Sequence, residues 1–239
     1  MPKAPVLTPE NPPGLRDIPF RLPKVSDAEK RRARALAKML EERYPHAHCA
    51  LDFTSPHELL VATILSAQAT DVGVNKVTPK LFKALPTPAD YAALSPEEIE
   101  PYIKSIGLFR NKAKSIHSAM KDIHERFGDQ VPQNMADLLT LRGVARKTAN
   151  VVLGNAFGIN VGFVVDTHIQ RLSYRFGFVP KGSNPQKTEK VLMALFPRKK
   201  WTQTAHALVW HGRRVCTARV RECQVSDGIC KRFSKHCPE

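Results

Sequence analysis

Helix-start signals recur along this 239-residue chain while alternating apolar and polar runs are almost absent, and that contrast limits the fold more than any other feature. A serine, threonine or asparagine ahead of an apolar-periodic stretch, with a glutamate three residues later, satisfies N–H groups that a helix leaves open at its start. Ser26 with Glu29 reads as such a capping box and is followed by the stripe Ala33, Leu36, Ala37, Leu40 and Tyr44. Ser55-Pro56 with Glu58 repeats the signal ahead of Leu59, Leu60, Thr63, Ile64 and Ala67. Ser95-Pro96-Glu97-Glu98 and Asn184-Pro185 open further helices, the latter with Val191, Leu192 and Leu195 on one side. Only Phe163-Val164-Val165 has strand character, and a run that short does not make a sheet. The pattern predicts an all-α chain.

Lysine and arginine total 37 against 22 aspartate and glutamate, a net charge of +15. Such an excess suits a polyanionic partner, nucleic acid first among them. No apolar run reaches the ~18 residues of a membrane span, and the N-terminus lacks the apolar stretch of a signal peptide. A cytoplasmic protein with no membrane partner is expected, nucleoid-associated if bacterial. Residues 1-26 carry seven prolines and no apolar period, which predicts a flexible leader outside any core.

Four of the five cysteines, Cys216, Cys223, Cys230 and Cys237, crowd the C-terminal end. In an intracellular chain such clustering favours metal over disulfides. Residues seven apart share a helix face but lie ~10.5 Å apart along its axis, so the segment must fold back for all four to meet one centre. Ser226-Asp227-Gly228 and Pro238 supply breaks. Four thiolates suit a [4Fe–4S] cluster or an all-cysteine zinc site, and the missing C-x2-C pair favours iron–sulfur. Cys49, distant in sequence, reads as a buried free thiol.

The segment from Leu138 to Leu153 reads as two short helices joined by a tight turn at Gly143, with N–H groups open to a phosphate at the second helix's start. This hairpin, its Lys147, and Val164-Val165-Asp166-Thr167-His168 resemble the helix-hairpin-helix and Gly/Pro-Asp motif of the endonuclease III family of DNA glycosylases. Leu65-Ser66-Ala67-Gln68-Ala69-Thr70-Asp71, Ile106-Gly107-Leu108 and His211-Gly212-Arg213 match further segments of that family, from about residue 30 to the C-terminus.

The resemblance implies a two-lobed fold: a six-helix barrel lobe over 49-159 and a discontinuous iron–sulfur cluster lobe over 27-48 and 160-239, with the hairpin and Asp166 facing the cleft. It implies excision of oxidised or ring-saturated pyrimidines from double-stranded DNA, then backbone cleavage at the abasic site, by a monomer. Lys147 would attack the sugar C1′ to form a Schiff base, which requires a neutral amine, although a free lysine has a pKa near ~10.4. A place early in a helix and partial desolvation would both disfavour the ammonium. Asp166 would stabilise positive charge on the sugar, or simply cap the helix that follows. Gln68 would fill the space left by the extruded nucleotide and Leu108 would wedge the opposite strand, although alone these read as an exposed helix-end residue and a core residue. Arg142, Gly143, Ala145, Arg146 and His168 complete the expected DNA-binding set, with Asp71 lining the site.

The sequence departs from the family in places. The usual cysteine run, C-x6-C-x2-C-x5-C, matches only in its first interval, so either a longer loop lets all four cysteines ligate or Ser226 takes the third position. Proline is usual where Arg142 stands and a second glycine where Ala145 stands. If position 145 needs positive φ, alanine strains the turn by about 1–2 kcal/mol. A monofunctional glycosylase of the mismatch or adenine type is the rival enzyme, disfavoured by Lys147, and a lesion-binding protein without turnover is the rival from another class.

Overall fold

The computed structural model describes Leu15, residues 18–219 and residues 227–236. Among the described residues there are twelve α-helices and no strand. The chain divides into two compact units, one from Met1–His48 with Asn160–Glu239, the other Cys49–Ile159. No helix of the described residues is long and apolar enough to cross a membrane.

The Cys49–Ile159 unit holds α2 to α8, which follow the first helix, α1 (Asp27–Arg43), of the other unit. They are α2 (Pro56–Leu65), α3 (Asp71–Ala84), α4 (Pro88–Ala92), α5 (Pro96–Ile103), α6 (Phe109–Phe127), α7 (Met135–Leu138) and α8 (Arg146–Ala156). Starts follow the sequence signals: Ser55 accepts from the Glu58 N–H, and Ser95 and Glu98 close a capping box. Glu58 departs from the expected box, its carboxylate taking the Thr54 N–H and hydroxyl instead. Seven successive residues of α2, from Leu59 to Leu65, are buried, which makes it the hub of this unit. It packs on α3, α6 and α8, while α6 also covers α4 and α5.

The other unit combines α1 with α9 (Thr167–Arg175), α10 (Pro185–Leu195), α11 (Trp201–Arg214) and α12 (Gly228–Phe233). Ser26 and Glu29 form the expected capping box of α1, and Ala33, Leu36 and Leu40 are its buried face. Phe163-Val164-Val165 forms no strand, and its Phe163 ring lies 5.7 Å from that of Phe196.

The segment read as a leader through residue 26 is, against that expectation, part of this core from residue 18 onward: Ile18 is 1% exposed, Leu22 7%, and Phe20 and Val25 pack against the same cluster. The prolines hid this, because they break any helical period, and the apolar side chains of this stretch reach the core without one. Ile18→Ala should therefore cost about 2–4 kcal/mol in denaturant unfolding. A change under about 0.5 kcal/mol, as at an ordinary surface site, would contradict a docked segment.

Candidate DNA-processing site

Three turns of the Cys49–Ile159 unit carry the residues expected to meet DNA. The turn from α2 to α3 has Gln68 exposed at φ +53°, closed by the Ala69 N–H donating to the Ser66 carbonyl at 3.1 Å. The turn into α6 has Leu108 as N-cap at φ +60°. That side chain is 58% exposed, so it is not the core leucine that composition favoured. Both residues occupy left-handed backbone, which disfavours a side chain by about 1–2 kcal/mol. Apolar exposure and left-handed backbone at one leucine are not features of a core side chain.

The third turn is the hairpin. Its first helix ends earlier than expected: α7 stops at Leu138, because the Thr140 hydroxyl and N–H both return to the Asp137 carbonyl. Leu139 to Ala145 make the connection, with Gly143 at φ +81°. A Cβ at Gly143 would lie 2.9 Å from the Ser115 Cβ of α6, so glycine is needed for both its backbone angle and its close approach. Ala145 is the N-cap of α8 at φ −90°, ψ 169°, so alanine is unstrained there. It brings no oxygen to the N–H groups of α8's first turn, which leaves that helix start suited to an anion. Arg142 and Lys147 are exposed and Arg146 half-buried around this start. The expected desolvation of Lys147 is not supplied by the protein alone: its side chain is exposed at the second residue of α8.

In the other unit, Asp166 is half-buried and is the N-cap of α9, its Oδ1 accepting from the Ile169 N–H at 2.8 Å. The capping role read from sequence is real, and it fixes the carboxylate. His168, on the first turn, lies with Nδ1 3.2 Å from Arg171 Nη2. Gly212 of α11 explains the His211-Gly212-Arg213 motif, since a Cβ there would meet the His168 Cβ at 3.1 Å. Asp71, in the Cys49–Ile159 unit, is half-buried at the start of α3.

Of the four clustered cysteines, Cys216 and Cys230 are described and both are buried, while Cys223, Ser226 and Cys237 lie outside the described residues. On a straight helix these two would stand ~21 Å apart. Here they meet, because the chain leaves α11 and returns through α12. The neighbouring Cys230 thiol and the Arg175 guanidinium, 3.0 Å away, hold the Cys216 thiol below the usual range against the effect of burial. A buried thiol biased toward thiolate beside a second thiol fits a metal–sulfur centre. His211 Nε2 stands 3.3 Å from Cys230 Sγ, and burial pushes the imidazole down to about 4, so it is neutral. His211, Asp227 and Cys230 could also offer atoms to one ion. However, Asp227 caps α12 through the Ile229 and Cys230 N–H groups, and His211 bonds Tyr44 through its other nitrogen. Cys49 is half-buried rather than buried.

Sequence reasoning missed the arginines of α9. Arg171 donates to the Gly212 and Cys216 carbonyls, and Arg175 to the carbonyls of Cys216 and Thr217. Their spacing of four residues on one helix was the available signal.

Residues 61–198 match the family described as HhH-GPD superfamily base excision DNA repair protein. Endonuclease III of Synechocystis is 50% identical over 202 residues, covering 83% of this chain and 92% of that protein. The chain belongs to the endonuclease III family of the HhH-GPD superfamily. Endonuclease III of Escherichia coli K12 is 45% identical over 184 residues, 77% of this chain and 86% of that one. A trapped endonuclease III–DNA covalent intermediate superposes with a TM-score of 0.80 at 38% identity, covering 89% of this chain and 97% of that one. A thermostable thymine-DNA glycosylase, TM-score 0.78 at 21% identity and covering 87% of this chain and 98% of that one, shares the fold. Within this endonuclease III family member the hairpin glycine gives a direct test. Gly143→Ala should destabilise the protein by about 2 kcal/mol or more and weaken duplex binding in a titration, since the turn must move off Ser115. Unchanged melting and affinity would show that the turn tolerates a Cβ.

Proposed function

We propose that this chain excises oxidised or ring-saturated pyrimidines from double-stranded DNA with Lys147 as nucleophile and Asp166 as its supporting carboxylate. Family membership makes the protein a bifunctional base-excision glycosylase and abasic-site lyase. The observation that carries the residue assignment is an exposed lysine on the first turn of a helix whose N-cap brings no side-chain oxygen.

The reaction sets the demands. A base stacked in a duplex exposes neither its glycosidic bond nor C1′, so the nucleotide is extruded at a cost of a few kcal/mol. Gln68 and Leu108 suit the two gaps that remain: an amide can pair with the orphaned base's edge, and an apolar side chain can replace lost stacking. The α8 N-terminus, with Gly143 and Ala145 bare of polar side chains and Arg142 and Arg146 alongside, suits a backbone phosphate. His168 and Asp71 line the site. DNA laid over Lys147 excludes solvent from an amine that must be neutral to attack. The amine's lone pair forms the Nζ–C1′ bond while the C1′–base bond breaks, and the base departs with that electron pair and takes a proton. Ring opening gives a protonated Schiff base. Loss of a C2′ proton then drives out the 3′ phosphate as leaving group, and water releases Lys147. Asp166, held by its cap bond, stabilises the positive charge that develops on the sugar. The trapped covalent intermediate of the structurally similar endonuclease III with DNA supports a path through a covalent enzyme–DNA bond.

Cys216, Cys223, Cys230 and Cys237 would hold a [4Fe–4S] cluster, which when bound would tie down the C-terminal segment and its basic residues for phosphate contact. Visible absorbance with about four irons and four sulfides per chain is expected. A colourless protein with stoichiometric zinc would sink this assignment.

Borohydride trapping on duplexes carrying thymine glycol or an abasic site tests the mechanism. The native chain should form a covalent adduct on both, and Lys147→Ala should form none. Asp166→Asn should leave stability within about 0.5 kcal/mol, since asparagine caps as well as aspartate, yet slow excision roughly a hundredfold or more. Base release without trapping would point to the monofunctional chemistry instead.

A further inference from the structure

The most deeply buried lysine of the Cys49–Ile159 unit has no part in the chemistry above. Lys112 is 5% exposed and sits on the apolar face of α6 with Ala113, Ile116, Ala119, Met120 and Ile123. A lysine in a core position requires a partner worth its desolvation. Its Nζ donates to the Leu65 carbonyl at 2.9 Å.

That carbonyl is the last of α2, and its neighbours are already served. The four final carbonyls of a helix have no partner within it. Here the Ser66 N–H takes Ala62, the Ser66 hydroxyl takes Thr63 and the Ala67 N–H takes Ile64. Lys112 completes the set from a different helix. Gln68, on left-handed backbone, lies three residues beyond this junction. The same residue also holds the second turn, because the Lys112 backbone N–H donates to the Leu108 carbonyl at 3.1 Å. One turn further along α6, Ser115 supports Gly143 of the hairpin.

We propose that Lys112 is a positioning residue for nucleotide extrusion, fixing the Gln68 turn to the Leu108 turn so that both side chains enter the duplex together. The ammonium suits that place, since the C-terminal end of α2 is the negative end of its dipole. Burial pushes the amine down from its ordinary value, so the bond to Leu65 and the dipole are what keep the charge there. Without the bond, the Leu65 carbonyl is left unpaired in the core and the turn carrying Gln68 is free to shift relative to α6. This role rests on the reading that Gln68 and Leu108 enter the duplex.

The test compares a substrate that needs extrusion with one that does not. Lys112→Met keeps the stem and removes the donor. In single-turnover assays it should slow excision from a thymine glycol duplex about tenfold to a hundredfold. Borohydride trapping on a single-stranded abasic oligonucleotide should stay within about twofold of the native rate, because nothing has to be unstacked. Added to Gln68→Ala or Leu108→Ala, Lys112→Met should have little further effect, since it acts through those residues. Lys112→Arg, which keeps a charged donor, should recover most of the duplex rate. If Lys112→Met does not fold, Lys112→Gln, with a shorter neutral donor, carries the same comparison. Equal losses on both substrates, or full additivity with the two alanine variants, would reduce Lys112 to a core residue and overturn the proposal. Full duplex activity in Gln68→Ala and Leu108→Ala would remove the insertion reading, and this role with it. A native chain that traps on neither substrate would instead refute the lysine mechanism.

Discussion

An α-helix must leave several N–H groups open at one end and several carbonyls at the other, and this protein places nearly every candidate functional residue at such an end. Gln68 follows the last turn of α2, Leu108 and Ala145 are the N-caps of α6 and α8, and Asp166 is that of α9. Cys216 follows α11, and Cys230 stands in the first turn of α12, under the Asp227 cap. Where an end needs a protein partner it has one, as with Lys112 on Leu65 or Asp166 on the Ile169 N–H. At the N-caps of α6 and α8, leucine and alanine supply no side-chain bond, and the α8 end is the one beside Lys147. Stability and function thus draw on the same small set of unpaired groups.

The basic residues divide by burial. Arg171 and Arg175 are inward and spend their donors on the Cys216 and Thr217 carbonyls, so their charge orders the cysteine segment. Arg32 does similar work from α1, its guanidinium bonding the Phe176 and Phe233 carbonyls and lying over the Phe178 ring. Arg142 and Lys147 are exposed, as is Arg214, which lies over the Trp210 ring. A net charge of +15 therefore overstates what can face a nucleic acid, because part of it is structural.

Helix starts were legible because caps are local: the bonds of Ser26 with Glu29 and of Ser95 with Glu98 close within three residues, though Glu58 turned to Thr54 instead. The glycine hairpin was legible for the same reason, although the end of α7 shifted once Thr140 bonded back to Asp137. Long-range pairs left no such trace. Ile18 and Leu22 reach the core without a period, and Lys112 meets a carbonyl 47 residues away. The only hint of Lys112 was a lysine in an apolar slot of a periodic stretch. Leu108 inverted the usual rule, since an apolar side chain read as core turned out to be exposed.

Left-handed backbone at Gln68 and Leu108 has an implication for engineering. Glycine accepts those angles freely, so a screen for heat resistance alone would favour removing the two side chains proposed to enter DNA. The folded state and the working state ask for different residues at the same two positions. On the proposed roles of Gln68 and Leu108, libraries that score only survival on heating would drift toward stable proteins that bind DNA and fail to open it.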